Sequence, residues 1–148
     1  MIRQLTYDQL SLTRDLAVSF FIESRLPGTF NWNHFLNTWK TLVNSGMGAM
    51  FVHQNQNLQF DAVIGGLTYL CPLTGDKETT ETFWYVMPEA RNGTKAIRLF
   101  ERLEQWAVEQ GSARIKMAYL EDLSPEIVRD MYERRGYVKQ ETTYRKEL

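Results

Sequence analysis

Four cations gather where one segment turns from an apolar stretch into a helix. Arg91 and Lys95 flank the turn Arg91-Asn92-Gly93-Thr94, and Arg98 and Arg102 follow one and two helical turns on. The first backbone N–H groups of an α-helix have no partner inside it, and the helix dipole puts positive potential at that end. A helix start flanked by cations therefore suits an anionic group such as a phosphate. An ordinary strand-to-helix connection with a solvated basic face accounts for the same residues, because loops with one glycine are common. Other reactive side chains are sparse. His34 sits beside the apolar stripe of a helix, and His53 stands at a strand end. Two histidines, the single Cys71 and no cluster at ligand spacing give no metal signal. Cys71 falls in a turn away from the cations and is not cast as a nucleophile.

The elements that must carry these residues are legible from periodicity. Met1–Thr6 reads as a short strand, and residues 8–24 as a helix with Leu12, Leu16, Phe20 and Phe21 inward. Leu26-Pro27-Gly28-Thr29 breaks it. A second helix is expected over 31–44, where Trp32, Phe35, Leu36, Trp39, Leu42 and Val43 repeat at helical spacing. Three strands follow at 49–53, 60–70 and 80–87. Gly65-Gly66 inside the second of them signals a bulge or a close backbone approach. Pro88 stops the third, and the cationic turn leads into a helix over 95–110 with Ala96, Leu99, Phe100, Leu103, Trp106 and Ala107 inward. A strand over 114–120 arrives after this crossover and is expected parallel to 80–87. Ser124-Pro125 opens a last helix, serine at the N-cap and proline in the first turn, with Ile127, Val128, Met131 and Tyr132 inward. A final strand is expected over 137–146. The order β-α-α-β-β-β-α-β-α-β describes an α/β (α+β) mixed sheet covered by helices.

Composition bounds the rest. The 148 residues, 43% of them hydrophobic, predict one domain over 1–148. Seventeen Lys and Arg against 18 Asp and Glu give a net charge of −1, which supplies no bulk pull toward nucleic acid or an anionic membrane. There is no apolar run of about 18 residues, and Met1-Ile2-Arg3-Gln4-Leu5 lacks the apolar core of a signal peptide. The expectation is a cytoplasmic protein with no membrane partner.

Two segments carry a resemblance. Val86, Pro88, Arg91 and Ala96 match in register the V-x-P-x-x-R-x-x-G-x-G/A motif by which GNAT N-acetyltransferases bind acetyl-CoA, with Thr94 in place of the middle glycine and Gly93 beside it. Met131-Tyr132-Glu133-Arg134-Arg135-Gly136-Tyr137 resembles the L-Y-x-x-x-G-F element of the same superfamily. Phe83-Trp84-Tyr85-Val86, Pro88-Glu89, Leu99, Glu104, Trp106-Ala107 and Gly111 are similar to a subgroup of single-domain members often found in phages and bacteria. The motifs span Glu81 to Tyr137, and the element order fits the whole chain. The resemblance implies a GNAT-like fold whose central strands splay around acetyl-CoA, held by Tyr85, Val86, Arg91, Asn92, Gly93, Thr94, Lys95 and Ala96. It implies an N-acetyltransferase that moves the acetyl group to a primary amine by direct attack, the acceptor being a small molecule or a protein. The competing reading is a non-catalytic binding module on the same fold.

Transfer to an amine requires a base, because an alkylamine is protonated near pH 7. It requires donors for the thioester oxygen and an acid for the departing thiolate. The resemblance implies Tyr132 as the acid and backbone N–H groups near Tyr85-Val86, at a strand bulge, for the oxygen. Glu81 is the candidate base. It precedes the apolar part of its strand and by period-two alternation shares a face with Phe83 and Tyr85, whose company would raise its pKa. A solvated strand-end glutamate and a water chain are the alternatives. Phe30 and Trp32, between the first two helices, suit an aromatic wall beside the acceptor or a hydrophobic staple. Monomer and homodimer are both compatible with the chain.

Overall fold

The computed structural model describes residues 1–91, 93–120 and 125–148. They fall into two compact units, Met1–Ala118 and Tyr119–Leu148.

The first unit is built on a five-stranded sheet. Strands β1 (Ile2–Gln4), β2 (Gly48–Gln54), β3 (Phe60–Leu70) and β4 (Lys77–Val86) pair antiparallel in sequence order, and β5 (Arg114–Lys116) joins β4 in parallel. Alternation along β2 divides the core. Met50 and Val52 face α1 (Arg14–Glu23) and α2 (Trp32–Asn44), where they meet Leu16, Trp39, Phe83 and Tyr85. Ala49 and Phe51 face α3 (Lys95–Glu109), where they meet Ile64, Val86, Leu99, Leu103 and Trp106. Every inward position predicted for α3 is at least partly buried, and Asn31 caps α2 by accepting from the His34 N–H at 2.9 Å.

Local differences from the periodic pattern have local causes. The first helical stretch begins as a 3-10 helix over Tyr7–Thr13 before α1. With three residues per turn, Leu10, Thr13 and Leu16 line up inward and Leu12 turns out to solvent. β4 starts earlier than expected, and β5 ends at Lys116 rather than at residue 120.

The second unit holds α4 (Pro125–Arg134), opened by its proline as expected; the Ser124 N-cap lies outside the described residues. Val128 and Met131 are half-buried and Tyr132 is buried, whereas Ile127 is exposed. Residues 137–146 form no strand. The segment is mostly charged and polar, with Val138 and Tyr144 exposed.

Candidate active site

β4 and β5 part company at one level. Their ladder runs through Glu78↔Arg114, Thr79↔Ile115 and Thr80↔Lys116 and stops there. At the same level β4 bulges against β3. Gly65 stands opposite Phe83 and Gly66 opposite Glu81, which leaves Thr82 as an extra residue outside the ladder. The tandem glycines permit this geometry. A Cβ on Gly65 would come within 2.8 Å of Phe83 and 2.9 Å of both Thr82 Oγ1 and Trp39.

The bulge corrects two expectations. It lies at Thr82, three residues before Tyr85, so the unladdered backbone is earlier in the strand than the resemblance implies. It also shifts the phase of alternation. Cross-strand partners share a face, and the space above Gly66 belongs to Leu103 of α3. Glu81 therefore stands on the α3 side with Trp84, not with Phe83 and Tyr85.

Glu81 bridges the fork. Its Oε2 accepts the Ala118 N–H at 3.3 Å. The side chain retains some surface exposure, yet protein surrounds it on most sides. Burial pushes its carboxyl up to about 7, and the bond from Ala118, which favours the charged form, offsets this only in part. Nearby, the Trp84 Nε1–H is buried without a hydrogen-bond partner among the described residues.

Beyond β4, Pro88–Ala90 forms one 3-10 turn and the chain passes through Arg91, Gly93 and Thr94 into α3. Gly93 takes φ +99°, a left-handed conformation natural to glycine, with open space around it. The Thr94 hydroxyl makes no capping bond to α3. Ala96 and Lys95 stand half-buried in the first turn, and Asn92 lies outside the described residues.

The cations do not act as one cluster. Arg91 donates from Nε to the Val86 carbonyl at 2.9 Å and from its terminal nitrogen to Glu23 Oε2 at 2.7 Å. Lys95 lies 3.4 Å from Asp61, which also holds His53 Nδ1 at 2.6 Å. Arg102 stacks over Phe51 and pairs with Glu109 at 3.6 Å, and Arg98 is exposed. Acidic partners thus balance most of the positive charge at the helix start.

Glu23, at the end of α1, also accepts the Tyr85 hydroxyl at 2.6 Å. Burial pushes this carboxyl up, but the bonds from Tyr85 and Arg91 outweigh it and hold Glu23 below the ordinary value. Burial and the Glu23 bond push the Tyr85 phenol up to about 12. No local sequence signal marks Glu23, which lies 62 residues from Tyr85.

On the opposite face, against the bulge, an apolar pocket of about 220 Å³ opens among α1, α2 and β4. Phe20, Phe21, Phe30, Phe35, Trp39 and Phe83 supply its rings. Phe30 thus reaches a wall, while Trp32 stacks on Phe35 beside it. Tyr132 belongs to the second unit, where it is buried with its ring 5.5 Å from that of Tyr137. No group of three or more His, Cys, Asp or Glu among the described residues could hold a metal, and no described helix is long and apolar enough to cross a membrane.

An open mixed sheet whose one parallel pair ends level with a bulge defines the α/β class of this unit. The fold is that of the GCN5-related N-acetyltransferases. A predicted acetyltransferase from Clostridium acetobutylicum, solved with acetyl-CoA, superposes with a TM-score of 0.78 at 18% identity, covering 100% of this chain and 94% of that one. A GCN5-related N-acetyltransferase from Ralstonia eutropha gives 0.75 at 19% identity, covering 99% and 97%. A ribosomal-protein-alanine N-acetyltransferase from Brucella melitensis biovar Abortus gives 0.72 at 16%, covering 100% and 99%. No protein-family profile and no curated protein matches the chain.

Proposed function

We propose that the chain is a single-domain acetyl-CoA-dependent N-acetyltransferase that acetylates a primary amine by direct attack. The observation that carries this reading is the geometry at this level, where the β4–β5 ladder ends at Thr80↔Lys116, β4 bulges at Thr82 and Glu81 reaches the Ala118 N–H. Three features suit acetyl-CoA: the Thr94 hydroxyl without a capping bond, the open Gly93, and the Trp84 indole N–H, unpartnered among the described residues. Bound acetyl-CoA supplies an acyl group activated as a thioester.

The residues divide the remaining work. Gly93, Thr94, Lys95 and Ala96, with Arg91 before them, would present backbone N–H groups and charge to the pyrophosphate, and the motif resemblance adds Asn92. Tyr85 and Val86 line the strand side. Backbone at Thr82, outside the ladder, would supply a donor for the oxygen that gains charge as the amine attacks. Glu81 takes the ammonium proton, directly or through water; with a pKa near 7 it is both half-ionised and basic enough at neutral pH. For the departing thiolate the motif resemblance names Tyr132, whose hydroxyl would supply the proton as the C–N bond forms and the C–S bond breaks.

A second reading is a binding module that keeps the cleft without turnover. The prior engagement of Arg91 by Glu23 and of Lys95 by Asp61 favours it. Calorimetric titration with acetyl-CoA, together with thiol release over a panel of amines, separates the two. Turnover supports the enzyme, binding without turnover on any amine supports the module, and no binding overturns both.

A further inference from the structure

The pocket at the bulge says what kind of amine the fork receives. This inference rests on the acetyltransferase reading and deepens it. The pocket touches β4 at Thr82, the residue outside the ladder and the chain neighbour of Glu81. Its wall is continuous: Phe21 and Phe30 lie 5.7 Å apart between ring centres, Phe30 and Phe35 5.7 Å, Phe35 and Phe83 5.8 Å, and Phe20 and Phe83 5.6 Å. At about 220 Å³ it is smaller than the roughly 300–1,000 Å³ of sites for drug-sized ligands. That room suits one ring or a branched alkyl body on a short arm.

Charge narrows the class further. Thr82 is the one polar residue among the described residues that line this pocket. Through Phe30 it adjoins a second depression of about 370 Å³, whose lining includes Thr29, Asn31, Asn33 and Arg14. Among the described residues neither lining contains Asp or Glu, and the one charge is the Arg14 guanidinium, 5.5 Å from the Trp32 ring centre. A polyamine or aminoglycoside brings several cations that must each regain in the site the solvation they lose. These walls offer them no carboxylate and one like charge. A single ammonium, by contrast, is accommodated over aromatic faces.

We propose that the acceptor is a small monoamine on an aromatic or branched apolar body. The body fills the ring-lined pocket, its amine points to Thr82, and polycationic amines are excluded. The test is calorimetric titration of the full chain with 2-phenylethylamine, isoamylamine and spermidine, each with and without coenzyme A, followed by thiol release from acetyl-CoA on the same three amines. The expected result is that 2-phenylethylamine binds at least tenfold more tightly than spermidine, and that Phe30→Ala weakens it at least fivefold while leaving spermidine unchanged. Spermidine bound or acetylated as well as 2-phenylethylamine overturns the proposal, as does failure of both apolar amines to bind in either condition. If the apolar amines bind and acetyl-CoA does not, the pocket assignment stands and the acetyltransferase reading falls. The wild-type comparison stands by itself if Phe30→Ala does not fold.

Discussion

The Glu81 carboxylate accepts the Ala118 N–H at 3.3 Å at the level where β4 and β5 stop pairing, so the side chain spans the mouth of the fork. One group thus closes the ladder and titrates near neutrality. Glu81→Gln keeps the shape and an acceptor for Ala118 but cannot take a proton. The expected outcome is a fall in turnover of about 10²–10⁴-fold with unchanged acetyl-CoA affinity by calorimetry. The wild-type rate should rise with pH through about 7, the pKa of the base. Stability has the opposite sign. The folded pKa lies above the ordinary value of 4.5, so folding favours the protonated acid. That contribution is complete below about pH 4.5 and lost as pH rises through about 7. Glu81→Gln should therefore melt above wild type at pH 8, with the difference vanishing at pH 4.5; no difference at pH 8 would refute the burial argument.

Glu23 ties α1 to β4 and to the loop before α3 through Tyr85 and Arg91. The arm to Arg91 is partly exposed, with 43% of the arginine side chain accessible, and such pairs contribute at most about 1 kcal/mol. The Tyr85 hydroxyl belongs to a buried residue, and leaving it unpaired costs about 1–3 kcal/mol. Glu23→Ala should therefore destabilise mainly through Tyr85, and Tyr85→Phe should abolish most of the further effect in a double-mutant cycle read by urea unfolding. Because Glu23 is held below its ordinary pKa, its stabilisation is present at neutral pH and lost as pH falls through and below the usual carboxylate range. The urea midpoints of wild type and Glu23→Gln should differ at pH 7 and converge as pH falls below the usual carboxylate range.

Elements with a strong period were legible in the chain: β3 runs over Phe60–Leu70 and α3 starts at Lys95, both as the pattern predicts. The cationic turn was legible because it is local. The face of Glu81 was not, since one extra residue at Thr82 reverses alternation, and only the paired glycines hinted at it. The same limit hid Glu23, whose role depends on two partners more than 60 residues away. Helical spacing misplaced Leu12 because it assumes 3.6 residues per turn where the chain makes three. The tail at 137–146 shows the converse, since β-prone residues without a buried face do not make a strand.

Gly65 and Gly66 should respond differently to a methyl group. A Cβ on Gly66 comes within 2.5 Å of Leu103 Cδ1, the movable end of a side chain, and 3.4 Å of the Thr80 carbonyl. A Cβ on Gly65 meets Phe83, Thr82 and Trp39 together within 2.9 Å, and two of those are fixed rings. Overpacking of this kind costs about 1–3 kcal/mol. Gly65→Ala should sit at the upper end and Gly66→Ala at the lower, by chemical denaturation. Because Gly65 opposes the bulge, its variant should also lose turnover beyond what its stability loss explains.

Tyr132 is buried on α4, and its assignment as the acid rests on the motif Met131-Tyr132-Glu133-Arg134-Arg135-Gly136-Tyr137. Tyr132→Phe removes the proton and keeps the ring that packs beside Tyr137. The rate should fall at least tenfold with acetyl-CoA affinity nearly intact. A wild-type rate in this variant rules out the acid role.

Trp84 carries the remaining clue to the fork. Its ring stacks on Phe100 with centres 5.9 Å apart, yet its indole N–H is buried with no partner among the described residues. A buried donor left unpaired costs about 1–3 kcal/mol, so it persists where something else makes use of it. Trp84 shares the α3 face of β4 with Glu81, beside the opening between the strands. Trp84→Phe removes the donor together with part of the ring. Loss of ring volume destabilises the chain and loss of an unpaired polar group stabilises it, so the net change in melting temperature should be small. A single ordinary hydrogen bond to a ligand contributes about 0.5–1.5 kcal/mol, which corresponds to roughly 2–12-fold in affinity. Acetyl-CoA should accordingly bind Trp84→Phe several-fold more weakly by calorimetry. An unchanged affinity would leave the indole N–H without a role in binding.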